Sequence, residues 1–174
     1  KKILMINDWI LYWLSGEFVS EPTNASESLL FDIRSGEWSP DMCQRLGIEQ
    51  NLLPGLMQCG TVAGEVAEKA ARSTGIPSGT PVVTGMADTQ AALIAGGVIR
   101  PGEVGIVAGS TAPVMIVTEE PRFDPEYRLW AGCHPLAERW LLESNSGDAG
   151  LVYKGYVEGH LGLMPGDPAA LYAK

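Results

Sequence analysis

Cysteine and histidine are too few and too scattered in this chain to build a metal knuckle, a redox dithiol or a disulfide framework. The three cysteines, Cys43, Cys59 and Cys133, form no Cys-x-x-Cys pair, and the two histidines, His134 and His160, are not spaced as metal ligands. Reduced thiols, a cytoplasmic setting and no protein-held metal are the expectation. Basic residues are also short: 12 Lys and Arg stand against 21 Asp and Glu, for a formal net charge of -9. That balance argues against a basic nucleic-acid groove and against a polybasic anchor for anionic lipid. It leaves an anionic ligand open, because helix-start amides hold phosphate without net positive charge. No apolar run reaches the ~20 residues of a membrane span, and nothing resembles a secretory leader. The chain opens on Lys1-Lys2-Ile3-Leu4-Met5 rather than on methionine, so a piece of a longer protein is expected.

Glycine, by contrast, is abundant, with 21 residues placed mostly at the ends of apolar segments. Such punctuation belongs to an α/β chain with many tight connections, and 174 residues suffice for one core or parts of two. Ile3, Ile6, Ile10, Trp13 and Leu14 fall at helical spacing over residues 3–15, closed by Ser15-Gly16. Asp8 within that helix reads as solvated or locally paired. Asn24 and Ser26 read as local caps around a turn or helix entry. Ser39-Pro40 opens a helix to about Leu46, stopped by Gly47. A helix is expected between Gly64 and Gly75, and the Pro77–Pro81 stretch is the best boundary in the chain. Beyond it come a buried strand at Val82-Val83-Thr84, an alanine-rich helix over 89–96, strands over 103–108, 113–118 and 140–144, and a helix from about Ala149 to His160. This succession predicts a mixed sheet covered by helices.

Three places carry candidate chemistry. Asp88 follows Gly85-Met86-Ala87 at a strand-to-helix junction, where it reads first as an N-cap accepting from Gln90 or Ala91. The same position faces the crevice in which α/β sheets bind ligands, and helix-start amides favour its ionised form. Gly109, Ser110 and Thr111 form a hairpin tip whose amides and hydroxyls suit phosphate oxygens, although an ordinary turn explains them equally. Gly147-Asp148-Ala149-Gly150 opens a helix with residues small enough for close approach of a ring or of another backbone.

In this order, these elements resemble the FGGY family of carbohydrate kinases, the sugar-kinase branch of the actin and hexokinase superfamily. The likeness extends through Asn7-Asp8-Trp9-Ile10, Leu14-Ser15-Gly16-Glu17, Thr23-Asn24-Ala25-Ser26, Gly60 to Gly64 and Gly79 to Val83. Gly85-Met86-Ala87-Asp88-Thr89-Gln90-Ala91-Ala92 resembles the family's Gly-x-x-Asp-x-x-x-Ala block. The resemblance implies an actin/hexokinase-like (ribonuclease H-like) two-domain α/β fold, present here as a partial chain. Residues 1–78 would end the first kinase domain and residues 79–174 begin the second. It implies phosphoryl transfer from ATP with Mg2+ to a sugar or polyol, with Asp88 as general base and substrate contact. Gly109, Ser110 and Thr111 would hold phosphate, and Gly150 and Lys154 stand where glycerol kinase touches nucleotide, with a glutamine at the second position there. Small molecules are the expected partners, a homodimer is allowed for, and nucleic acid and membrane are not expected. The family's opening Asp-x-Gly-Thr motif and its adenine-site segment are not in this sequence, so turnover by the 174 residues alone is not expected. A non-catalytic relative that binds sugar or nucleotide is the alternative.

Overall fold

The computed structural model describes residues 1–160. Helix α1 (Ile6–Ser15) leads through β1 (Val19–Ser20) into α2 (Pro22–Glu27) and then a short hairpin of β2 (Phe31–Asp32) and β3 (Glu37–Trp38). Helix α3 (Pro40–Leu46) and a 3-10 turn (Gln50–Leu52) precede β4 (Gly55–Leu56), which pairs in parallel with β1. Next come β5 (Val62–Glu65), α4 (Glu68–Thr74), β6 (Pro81–Val83) and α5 (Asp88–Ala95). The remainder is β7 (Val104–Ile106), β8 (Ala112–Thr118), β9 (Trp130–Cys133), β10 (Trp140–Ser146) and α6 (Ala149–His160).

Local chemistry sets most element ends. Ser39 Oγ accepts from the Met42 amide at 3.2 Å, Pro40 fills the first helical turn, and Gly47 closes α3 in the left-handed region at φ 67°. Gly16 and Gly75 close α1 and α4 in the same way. Helix α1 begins at Ile6 rather than Ile3, because the Met5 amide donates to Asp8 Oδ2 at 3.2 Å. The expected Gly64–Gly75 helix is a strand followed by a shorter helix. Gly64 lies in β5, where a Cβ would sit 3.1 Å from both Ser15 Cβ and Glu17 Cγ, so the strand needs glycine to pass the end of α1.

Strand β6 pairs antiparallel with β5 across the intervening α4, so the Pro77–Pro81 stretch lies inside a paired β5-α4-β6 unit. Val82 is buried there while Val83 is 47% exposed, so this strand is half-buried rather than buried as expected. The four-stranded sheet has the order β7-β8-β10-β9 and is antiparallel throughout, not mixed. Along β8, Met115 and Val117 point inward to pack with Leu93 of α5 and Leu141 of β10, while Val114 and Ile116 face out. A second core gathers Ala25, Leu30, Phe31, Ile33, Trp38, Cys43, Leu53 and Cys133, so α2 and β9 share one interior. A third packs Leu11 and Leu14 of α1 onto Val66, Ala70 and Val82.

Asp8 is buried rather than solvated, though it is locally paired, with Asn7 Nδ2 donating to Oδ1 at 3.0 Å. Burial raises its carboxyl above the ordinary value of 3.8, and the hydrogen bond from the Met5 amide opposes the shift. A raised folded-state value contributes stability that is complete below 3.8 and is lost as pH rises through the folded value. Asp8→Asn keeps an acceptor for the Met5 amide and removes the titration. The melting temperature of the variant should therefore gain on the parent between pH 4 and pH 7, as followed by thermal melts at both values. An unchanged gap would remove the linkage.

Candidate active site

Asp88 is the first residue of α5, with Ala87 as the N-cap. It does not cap the helix through Gln90 or Ala91. Its Oδ1 instead accepts from the amide and hydroxyl of Thr89 at 2.7 and 3.1 Å, and the side chain stays exposed. An exposed carboxylate held, among the described residues, by its neighbour alone is open to a ligand hydroxyl from the solvent side. The backbone leading to it is fixed more firmly. The buried Thr84 hydroxyl donates to the Gln58 carbonyl at 2.7 Å and accepts from the Thr61 amide at 3.0 Å, and the Ala87 amide donates to Thr23 Oγ1 at 2.8 Å.

Asp88, Thr89, Val107, Gly109, Ser110, Thr111 and Pro113 line one cleft of about 280 Å³. The strand-to-helix carboxylate and the hairpin tip, about twenty residues apart in sequence, therefore face a common space. Within the tip the Gly109 amide donates to the Thr111 carbonyl at 2.8 Å. The amides of Ser110 and Thr111 make no backbone hydrogen bond among the described residues, which leaves two donors for an anion.

Gly150 abuts this tip. Its amide donates to the Ser110 carbonyl at 2.9 Å, and a Cβ on it would stand 2.9 Å from Ser110 Cα and 3.0 Å from the Gly109 carbonyl oxygen. The start of α6 thus packs directly on the phosphate-turn candidate. Lys154 is not brought to the cleft. Its Nζ lies 3.8 Å from Glu158 Oε1 on the exposed side of α6.

A neighbouring cleft of about 360 Å³ was not anticipated from sequence. Glu27, Thr89, Gln90, Trp130, Glu143 and Asn145 line it, so Thr89 borders both spaces. Burial raises the Glu27 carboxyl, and the like charges of Glu143, Asp88 and Glu21 add to the shift. These acids come from α2, β10, α5 and the start of α2, and only the fold assembles them. The one sequence signal lay in the Asp88-Thr89-Gln90 run, where Gln90 is 1% exposed and its Oε1 has no partner among the described residues.

Glu21 caps the start of α2. Its carboxylate accepts from the amides of Thr23 and Asn24 at 2.7 and 3.0 Å, from the Thr23 hydroxyl at 2.7 Å, from Asn24 Nδ2 and from Cys59 Sγ at 3.0 Å. Burial, then the hydrogen bond to Glu21, pushes the Cys59 thiol up to about 12. Cys133, buried and within the field of Glu21, is also pushed up to about 12. At pH 8 only about 10⁻⁴ of either thiol is thiolate, the nucleophilic form. Iodoacetamide should therefore modify both residues about 10³-fold more slowly than a free thiol, as read by mass spectrometry of the folded protein. Rapid labelling of either would contradict the packing around Glu21.

The N-terminal domain of the FGGY family of carbohydrate kinases matches residues 1–95. The Bacillus subtilis protein YoaC, which carries a provisional sugar-kinase name, is 37% identical over 149 residues, covering 86% of this chain and 30% of its own length. Autoinducer-2 kinase of Escherichia coli (strain K12) is 32% identical over 152 residues, covering 87% of this chain and 29% of its own. Among solved structures, xylulose kinase from Rhodospirillum rubrum superposes with a TM-score of 0.83 at 26% identity, over 98% of this chain and 34% of that one. The actin/hexokinase-like fold expected from the sequence is the one these neighbours share. This chain spans about 30% of the length of the curated relatives it matches.

Proposed function

Because the chain belongs to the FGGY family of carbohydrate kinases, we propose that the intact protein transfers the γ-phosphoryl group of ATP to a hydroxyl of a sugar or polyol, with Asp88 as general base. The observation that carries this reading is the shared cleft between Asp88 and the Gly109–Thr111 tip. A carboxylate on one wall accepts the hydroxyl proton as the oxygen attacks phosphorus. Amides and hydroxyls on the opposite wall hold the phosphoryl oxygens, and Gly150 lets α6 seat against that wall. Catalysis of this kind is mainly positioning and charge stabilisation. The acceptor-rich neighbouring cleft, with Glu27, Glu143 and Gln90, suits a ligand that presents several hydroxyl donors.

Among the described residues no cluster of three His, Cys, Asp or Glu side chains is arranged to hold a metal. Magnesium would be carried on the nucleotide phosphates, where it neutralises their charge. No described helix is long and apolar enough to cross a membrane. We place the division between the two kinase lobes near residue 95, where the family match ends, because the pairing of β6 with β5 ties Pro81 to Glu65 across residue 78. Residues of the remaining kinase sequence would complete the site, so the 174-residue chain alone is expected to be inactive.

The test is an ATP-coupled screen of the intact protein against ketopentoses, glycerol, other polyols and autoinducer-2. Turnover of one of these above the ATPase background supports the assignment. Nucleotide or sugar binding with no turnover of any would identify a non-catalytic relative.

A further inference from the structure

Thr23 is fully buried at the start of α2, and its hydroxyl is engaged on both sides. On one side it lies 2.7 Å from Glu21 Oε2, and on the other it meets the Ala87 amide at 2.8 Å, 64 residues away in sequence. The directions are fixed by chemistry. A backbone amide only donates, so the Thr23 oxygen accepts from Ala87, and its own proton goes to the Glu21 carboxylate. Glu21 is in turn held by the amides of Thr23 and Asn24. The chain of contacts runs from Glu21 through the Thr23 hydroxyl to the N-cap of α5, and Asp88 is the next residue.

Asp88 has no such anchor of its own, since among the described residues its carboxylate accepts hydrogen bonds from Thr89 alone. Its place therefore follows the backbone at Ala87. We propose that Thr23 is a positioning residue for the phosphoryl transfer: its hydroxyl ties the N-cap of α5 to the start of α2 and so sets where the Asp88 carboxylate stands in the cleft. This inference rests on the assignment of Asp88 as the base. A displacement of about 1 Å at a reacting group costs on the order of 10²-fold in rate. Thr23→Val keeps the shape of the side chain and removes both hydrogen bonds, and Thr23→Ser keeps them.

The experiment is a double-mutant cycle in the intact kinase, with kcat and KM measured for the sugar that the screen identifies. Thr23→Val should lower kcat about 10–100-fold with a smaller change in KM, and Thr23→Ser should stay within about threefold of the parent. In an Asp88→Asn background Thr23→Val should cost nothing further, because the group it positions is gone. Equal losses in both backgrounds, or a loss in KM alone, would show a purely structural role and overturn the proposal. If Thr23→Val does not accumulate as folded protein, Thr23→Ala carries the same cycle. Retention of kcat by Asp88→Asn alone is a separate result, and it overturns the base assignment instead.

Discussion

Asp88→Asn is expected to lower kcat of the intact kinase by about 10²–10⁴-fold, the range supplied by a positioned general base, while KM for the sugar stays within a few-fold. The substitution is almost silent structurally. Both contacts of the Asp88 carboxylate, from the Thr89 amide and hydroxyl, end on Oδ1, and an asparagine oxygen accepts them equally. Removing a negative charge from the first turn of α5 costs about 0.3–1 kcal/mol of helix stability. That is far below the roughly 3–5 kcal/mol in the barrier to which the rate loss corresponds. What disappears is the capacity to take a proton.

Glu27 supplies the control, since its carboxyl is raised by burial and by the charges of Glu143 and Asp88, and it stands in the adjoining cleft. Glu27→Gln should act mainly on KM. If instead Glu27→Gln abolishes turnover and Asp88→Asn leaves kcat within threefold, the proton acceptor is Glu27 and the assignment moves one cleft over.

Asp88 also shows what a sequence discloses about such a site. Its place at a strand-to-helix junction was legible, because Gly85 and the alanine-rich run after it mark that junction. Its bonding was not: Ala87 takes the cap, and Asp88 turns to its neighbour Thr89. The choice between cap and first turn is a matter of one residue, which propensity does not resolve. Gly47, Gly75 and Ser39 were read correctly because each does a local job that only a few residue types do. Strand β9 was missed: it has four residues, one of them Gly132, and no alternating pattern.

The gathering of Glu21, Glu27, Asp88 and Glu143 was invisible for a different reason. They come from three separate stretches of chain, α2 with its N-cap, α5 and β10, and like charges brought together by tertiary structure leave no periodic trace. Helical spacing in α1 was legible, but not which of its residues are buried. Ile6 and Ile10 are 74% and 49% exposed, while Leu11 and Leu14 make the contact with the third core.

The sharpest test of the phosphate wall is a pair of glycines on one helix. Gly150→Ala places a methyl group 2.9 Å from Ser110 Cα and 3.0 Å from the Gly109 carbonyl oxygen. Both are backbone atoms, so no rotamer change relieves the contact. Either α6 retreats, losing the 2.9 Å hydrogen bond from the Gly150 amide to Ser110, or the Gly109–Thr111 tip shifts. In either case the amides facing the cleft move by some tenths of an ångström, and KM for ATP should rise about 10–100-fold with a fall in kcat. Gly155→Ala, five residues along the same helix with nothing within 4 Å of its Cβ position among the described residues, meets no such obstacle. It should leave KM and kcat unchanged and stabilise α6 by about 0.5–1 kcal/mol through the better helix propensity of alanine. Nucleotide KM and thermal melting, measured on both variants of the intact protein, separate the possibilities. A Gly150→Ala protein that melts lower but binds ATP as the parent does would make the tip an ordinary turn. The phosphate contact would then have to be sought elsewhere in the kinase.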